Sequence, residues 1–478
     1  MFSKVHLLIP WGPTAGTPSR WKNACWGPRP KAAVAYAPDP SGQASGQTCP
    51  PPSVRPLRLT LEMSSVECRV FEETKLNMSS PGLQQTRLDR LHRVLSGYVE
   101  RREMPGLVAL VSHHDAVHVE AIGTMDFNGS APMERDAIFR IASITKLMTA
   151  VAAMILVEEC KLRLDEPIDA WLPELANRRV LKTLASEPDD TVKAVRSITV
   201  RDLLTCRMGF GSVMARPDTY PIQKLIREKR IGGDGPKSQS DWPPTDEWVR
   251  SLGSLPWLAQ PGEQWMYQVS FDLLGVLIAR VAGQSFGAFM RERIFDPLGM
   301  KDTAFRVPPG SANRLPSFYF FNRRTNKLDY FEDPANSTWL SEPPFEAGGG
   351  GLVSTVDDCF AFSRMMLNKG RYGREQLLSP ATVELMTSDQ LTSEQRLGSG
   401  IFLGTHCSWG FGMSVDIRRE EIYHSPGRFG WAGGFGTSAY IDPANGMIGI
   451  LLTQRMVDSP EAPTLFSDFW TLAYSALE

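Results

Sequence analysis

Several features that would direct a chain of 478 residues toward a metal, a membrane or a nucleic acid are missing from this one. Its seven cysteines are an odd number with no Cys-x-x-Cys or other metal-ligand spacing, so neither a disulfide framework nor a zinc site is expected. Cys25, Cys49 and Cys68 lie near the amino terminus; Cys160, Cys206, Cys359 and Cys407 are far apart and read as reduced thiols, which favours the cytoplasm. His114 and His118 are four apart, a metal spacing on a helix, but they straddle a predicted hairpin and have no H-E-x-x-H partner. No metal and no cofactor is expected. The apolar run Leu147 to Val157 is well short of the roughly 20 residues that span a bilayer, and "VHLLIPW" near the start is cut by Pro10, too brief for a signal peptide. Charge of one sign is also lacking: 51 basic against 53 acidic residues leave a net charge of -2, which gives no global field for nucleic acid or an anionic membrane. A small neutral or weakly charged ligand is the default partner, and there is no internal repeat. The oligomeric state is not legible.

What is present is unevenly distributed. Residues 1–61 hold eleven of the 36 prolines, seven basic residues and one acid, Asp39, without helical or strand periodicity. Such text cannot bury enough apolar surface to offset its ordering entropy, so residues 1–77 are expected to be a disordered, proline-rich leader. Met63 and Met78 each precede ordinary-looking protein text, so the leader reads as sequence upstream of the true start, with a regulatory tail as the alternative. Residues 78–478 form the expected folded domain.

Leu88, Leu91, Leu95, Tyr98 and Val99 recur at helical spacing until "MPG" at 104–106, and "LVALVS" and "VHVEAIG" then form a hairpin across "HHDA". The middle is mainly helical. Thr199 with Asp202 is a capping-box variant, and "STVDDCFAFSRMMLNKG" is a helix with Cys359, Phe362 and Met366 on one face and a stop at Gly370. The connection from Ser212 to Pro261 reads as a long loop, a length usually given to walls or lids of a site. After about 408 strands return: "WGFGMSVDI" alternates, and "TSAYIDPANGMIGILLTQ" is two strands turning at Asp442 to Gly446. A last helix covers about Leu465 to Leu477. The expected fold is α+β: an antiparallel sheet built from both chain ends (about 84–135 and 408–478) and flanked by helices, with a mainly helical part (about 136–407) inserted.

Within that insertion, "IASITKLMTA" sets Ser143 and Lys146 three apart at the start of the apolar run. If Ser143 opens the helix, the two side chains share a face and meet, and the helix amino terminus offers N–H groups and a positive end. Both features favour an oxyanion and work against a protonated lysine. A serine cap with a snorkelling lysine explains the same letters, and Ser-x-x-Lys recurs as "SRWK" at 19–22. Two further stretches stand out: "QPGEQWMYQVSFDLLGVLIARVAG" puts Tyr267 just before an amphipathic helix, and "RFGWAGGFGTSAYIDP" is a glycine-rich entry to a carboxyl-terminal strand. By themselves Tyr267 reads equally as a boundary tyrosine and Trp431 as a core residue.

Taken together, these motifs resemble the serine hydrolases related to class C β-lactamases and penicillin-binding proteins, and most of all the family VIII carboxylesterases. The phrases "LRLDEPIDAWLPEL" and "AGGGGLVSTVDD" are similar to family text as well, and the likeness runs over about residues 84 to 478. It implies a β-lactamase/transpeptidase-like fold, Ser143 and Lys146 as the catalytic dyad, Tyr267 as the third catalytic residue, and Trp431-Ala432-Gly433 in place of the Lys-Thr-Gly triplet. It further implies an oxyanion hole from the N–H groups of Ser143 and Gly434, and substrate contacts at Trp431, Ala432, Gly433 and Val269. The implied activity is hydrolysis of small, short-acyl esters.

Two departures bear on substrate. Trp431 stands where β-lactamases carry the triplet lysine and offers an apolar face, and Tyr267-Gln268-Val269 lacks the asparagine of Tyr-x-Asn, so the amide is expected to be gone. Both favour a neutral ester over an anionic lactam. Arg428 is near enough in sequence to compensate for the lysine. The alternatives are a β-lactamase or D-amino-acid peptidase, and a penicillin-binding protein that stays acylated. "GQSFG" at 283–287 fits the α/β-hydrolase G-x-S-x-G, but helical text precedes it, so Gly283 reads as a helix stop and Ser285 as a cap. "GGGG" at 348–351 lacks the ending of a phosphate loop and reads as close backbone packing beside the cleft.

Overall fold

Every residue of Gly106–His113 is buried, which explains why this strand reads as continuous apolar text instead of an alternating one. In this computed structural model, which describes residues 82–232, 241–459 and 463–478, it is β1, a strand with a core on each face. The expected disorder of residues 1–77 lies outside the described residues. Leu107, Ala109 and Val111 point to one side and Val108 and Leu110 to the other, as the period of two requires.

β1 pairs with β2 (Ala116–Gly123) in the expected hairpin. On its other edge lies the last strand of the chain. The carboxyl-terminal strands are β3 (Cys407–Trp409), β4 (Ser414–Asp416), β5 (Phe429–Gly433), β6 (Thr437–Asp442) and β7 (Met447–Thr453). The sheet order is β3-β4-β5-β6-β7-β1-β2, antiparallel throughout, with Leu107 opposite Thr453 and His113 opposite Met447. Both chain ends therefore build one sheet.

One face is covered by α1 (Gln85–Glu100) and the final helix Thr464–Ser475, whose Leu91, Leu95, Phe466, Phe469 and Trp470 pack on Leu107, Ala109 and Leu451. The other face receives the helical part. Its central pieces are α2 (Thr145–Glu158), α3 (Val200–Leu204), α4 (Val269–Ala282) and α5 (Val356–Leu367). At α3 the capping box forms in full: Thr199 Oγ1 accepts from the Asp202 N–H, and Asp202 accepts from the Thr199 N–H. Thr355 caps α5, and Gly370 takes φ 91° beyond its end.

Three expectations change. The Ser212–Pro261 connection carries helices at Pro221–Glu228 and Thr245–Gly253, because Ile222, Trp248, Val249 and Leu252 bury one face of each. "WGFGMSVDI" is two strands: Gly412, at φ 83°, turns the chain between β3 and β4 where a Cβ would lie 2.8 Å from both the Lys146 carbonyl oxygen and the Ala150 methyl. α4 is not amphipathic, since all of Val269 to Ile278 is buried in the helical layer. The insertion also holds two-stranded pieces, among them Phe318–Asn322 with Lys327–Glu332. Among the described residues no single helix is long and apolar enough to cross a membrane.

Candidate active site

Ser143 lies in a single 3-10 turn, Ala142–Ile144, that leads directly into α2, so it precedes the helix and does not open it. Ala142 is held at φ 44°, a left-handed conformation that costs a residue with a Cβ about 1–2 kcal/mol. The surroundings enforce it. Thr437 Oγ1 donates to the Ile141 carbonyl at 3.0 Å, and the Ile141 N–H reaches the Leu352 carbonyl at 3.1 Å. Gly433 of β5 comes so close that a Cβ there would lie 2.6 Å from the Ile141 oxygen and 3.1 Å from the Ala142 methyl. The serine turn thus sits directly against the end of β5.

One turn on, Lys146 is completely buried. Its Nζ donates to Ser143 Oγ at 3.1 Å, to the Gly349 carbonyl at 2.5 Å and to Gln268 Oε1 at 3.4 Å. All three acceptors are uncharged. The ammonium position is also 4.5 Å from the centroid of the Tyr267 ring, a cation–π distance. The glycine run at 348–351 packs as expected: Thr149 Oγ1 donates to the Gly348 carbonyl at 2.8 Å, and a Cβ on Gly348 would meet the Phe271 oxygen at 2.4 Å. Cys206, behind α3, is also near; burial pushes its thiol up to about 12, so it stays protonated.

Tyr267 ends the loop before α4. Its carbonyl accepts from the Ser212 N–H, and Met266 is tied to Cys206 by a backbone bond of 2.7 Å. Around the phenol ring stand Trp265, Phe402, Trp409 and Trp431, at centroid distances between 4.9 and 6.3 Å. Trp431 does more than offer an apolar face: its indole N–H donates to Tyr267 Oη at 2.7 Å. The third-position amide is absent, as expected, but an amide is not. Gln268, one residue earlier, brings its own to Lys146.

The remaining candidates separate. Gly433 touches the serine turn, and Gly434 follows in the tight turn, its carbonyl taking the Val457 N–H at 3.0 Å. Ala432 alternates to the opposite face and packs with the α1 layer, so only its backbone is available at the site. Val269, the first residue of α4, is buried in the core. Arg428 does not compensate for the missing lysine. It is buried away in an ion pair with Asp416 at 2.9 Å and lies over the rings of Tyr440 and Trp470. Ser285 caps the helix Phe286–Met290 by accepting from the Ala288 N–H, and Gly283 ends α4 at φ 69°, so "GQSFG" is a helix-to-helix link and not a nucleophile elbow. Gln268, Trp265, Phe402 and Trp409 are among the site neighbours that sequence reasoning passed over. Gln268 had a signal in its position beside Tyr267; Phe402 had none, because 135 positions separate it from its partner ring.

A family model for beta-lactamase matches residues 91–467. Protein Rv1367c of Mycobacterium tuberculosis is 34% identical over 369 residues, covering 74% of this chain and 87% of its own length. Esterase EstB of Burkholderia gladioli is 27% identical over 392 residues, 78% of this chain and 92% of that protein. Among solved structures, EstCE1, a hydrolase with promiscuous acyltransferase activity, superposes with a TM-score of 0.67 at 23% identity, over 82% of this chain and 99% of its own. With the antiparallel sheet, the helical insertion and the buried serine–lysine contact in place, the chain belongs to the beta-lactamase family, as a serine hydrolase.

Proposed function

We propose that this protein is a carboxylesterase that cleaves small, short-acyl esters through an acyl-enzyme on Ser143. The observation that carries the reading is the contact of 3.1 Å between Ser143 Oγ and the buried Lys146 Nζ. In this reading Lys146 takes the Ser143 proton as Oγ attacks the acyl carbonyl. The tetrahedral oxyanion is held by the N–H groups of Ser143 and Gly434, each worth about 3–4 kcal/mol in such sites. The C–O bond to the leaving alcohol then breaks, and Tyr267 passes a proton to that oxygen, drawing on the lysine. Water attacks the acyl-enzyme by the reverse proton path, releasing the acid and restoring Ser143.

Three features support an ester over an anionic lactam. The triplet position is a neutral indole, Arg428 is committed to Asp416, and the phenol is surrounded by aromatic rings that suit an apolar acyl or alcohol group. The similarity to esterase EstB points the same way.

The test is hydrolysis of p-nitrophenyl butyrate by the wild type, Ser143→Ala, Lys146→Ala and Ser285→Ala, with a chromogenic cephalosporin alongside. The expected result is a loss of about 10³-fold or more in kcat for the first two variants and none for Ser285→Ala. A Ser143→Ala variant of undiminished activity would overturn the site. Cephalosporin turnover matching the ester rate would transfer the protein to the lactam-cleaving side, and labelling of Ser143 without turnover would make it a penicillin-binding protein.

A further inference from the structure

We propose that Asp272 is a positioning residue for Lys146, acting through the single peptide group of Gly349. This rests on the reading of Lys146 as the base. Asp272 belongs to the first turn of α4, the helix that Tyr267 and Gln268 lead into, and its side chain is 2% exposed. Its Oδ1 accepts from the Gly349 N–H at 2.8 Å, and the carbonyl of the same residue accepts from Lys146 Nζ at 2.5 Å. A Cβ on Gly349 would come within 2.6 Å of that carboxylate oxygen, so the glycine is what lets the carboxylate reach the peptide. The glycine run and the buried acid, two features the reaction does not otherwise use, therefore form one device.

Its action follows from charge. A carboxylate on the N–H side polarises the Gly349 peptide and makes the carbonyl oxygen a stronger acceptor. That oxygen faces the lysine nitrogen. When Ser143 gives up its proton, a positive charge appears on Lys146, and the polarised carbonyl together with the negative field of Asp272 stabilises it without touching substrate. The other groups around Lys146 are Ser143 on its own turn, Tyr267 and Gln268 before α4, and Cys206 behind α3, whose thiol stays neutral and is affected electrostatically by both Lys146 and Asp272. The charged residues Arg291, Glu292 and Arg293 follow the helix Phe286–Met290, and Arg293 pairs with Glu159 at the far end of α2.

The experiment is the pH profile of kcat/KM, and of kcat and KM separately, for p-nitrophenyl butyrate from pH 5 to 9. It compares wild type, Asp272→Asn and Asp272→Glu, with Ser143→Ala and Lys146→Ala as controls. Removing the negative charge disfavours the ammonium, so in Asp272→Asn the acid limb moves to lower pH by about one unit. The plateau falls several-fold because a weaker base accepts the proton more slowly. KM stays unchanged. Asp272→Glu, with its carboxylate displaced by one methylene, shifts the limb in the same direction by less; if the asparagine variant does not fold, this variant decides alone. A limb that stays in place while activity or melting temperature drops makes Asp272 a structural acid only and overturns the proposal, as does wild-type behaviour throughout. Activity surviving in the Lys146→Ala control sinks the reading of the base itself, an outcome distinct from either.

Discussion

A buried lysine is the feature around which the single residues arrange themselves. Lys146 has no exposure, and it is held by a serine hydroxyl, a backbone carbonyl and a side-chain amide. Trp431 illustrates how a change of residue type alters chemistry while preserving position: a neutral N–H, not an ammonium, donates to Tyr267 Oη. In Trp431→Phe the ring packing on Trp409 and Tyr267 is retained and the donor is lost. Loss of one neutral hydrogen bond of about 1 kcal/mol predicts roughly a five-fold fall in kcat with KM little changed, measured by steady-state ester kinetics. Ser143, Lys146 and Tyr267 were legible in the sequence as a pattern with a family precedent. Gln268 and the orientation of the Trp431 indole were not, because which polar atom of a side chain meets which partner is settled by distant backbone. Arg428 was misread for the same reason: its neighbourhood in sequence is the strand entry, but its neighbourhood in space is Asp416.

Elements hold these residues by close approach. β5 can support the serine turn only because Gly433 has no side chain; a methyl there would also lie 2.2 Å from Thr437 Oγ1. Gly433→Ala is expected to displace Ala142–Ile144 and to reduce ester hydrolysis by about 10²-fold, a loss that small displacements of reacting groups typically cause. Activity equal to wild type would show that the turn tolerates the displacement. Ser285→Ala separates a cap from a nucleophile at the level of one helix end: catalysis stays intact and stability drops by about 1 kcal/mol in chemical denaturation. Helix and strand existence was largely readable, since hydrophobic period and capping residues are local. The helices at Pro221–Glu228 and Thr245–Gly253 were hidden by flanking prolines and glycines, and the split of β3 from β4 by the need of Gly412 to pass Lys146.

At the scale of the whole molecule, the sheet joins residues more than 300 apart and separates two apolar layers. Its β3–β4 end carries an acid-sensitive point. His424 stacks on His406 with ring centroids 3.7 Å apart, and burial, then the charges of His406 and Arg428, push it down to about 3. The folded protein therefore resists protonating His424 while the unfolded chain takes up a proton near pH 6.5. The unfolded state binds more protons between those values, so stability falls as pH drops from about 6.5 toward 3. Urea midpoints at pH 7 and pH 5 are expected to differ more in the wild type than in His424→Gln; equal differences would remove the histidine as the cause.

The sequence by itself determined what depends on local chemistry: most of the helices and strands, that both chain ends supply strands, and that a serine and a lysine three apart stand at the head of a buried helix. Tertiary structure alone decided what depends on long-range approach. It brought Trp431 to Tyr267 across 164 positions and Gly349 to Lys146 across 203, and it sent Arg428 to Asp416. The physical reason is that a residue's period and propensity are properties of its neighbours in the chain, whereas the partner of a buried polar atom is whichever backbone the packed core leaves within hydrogen-bond reach.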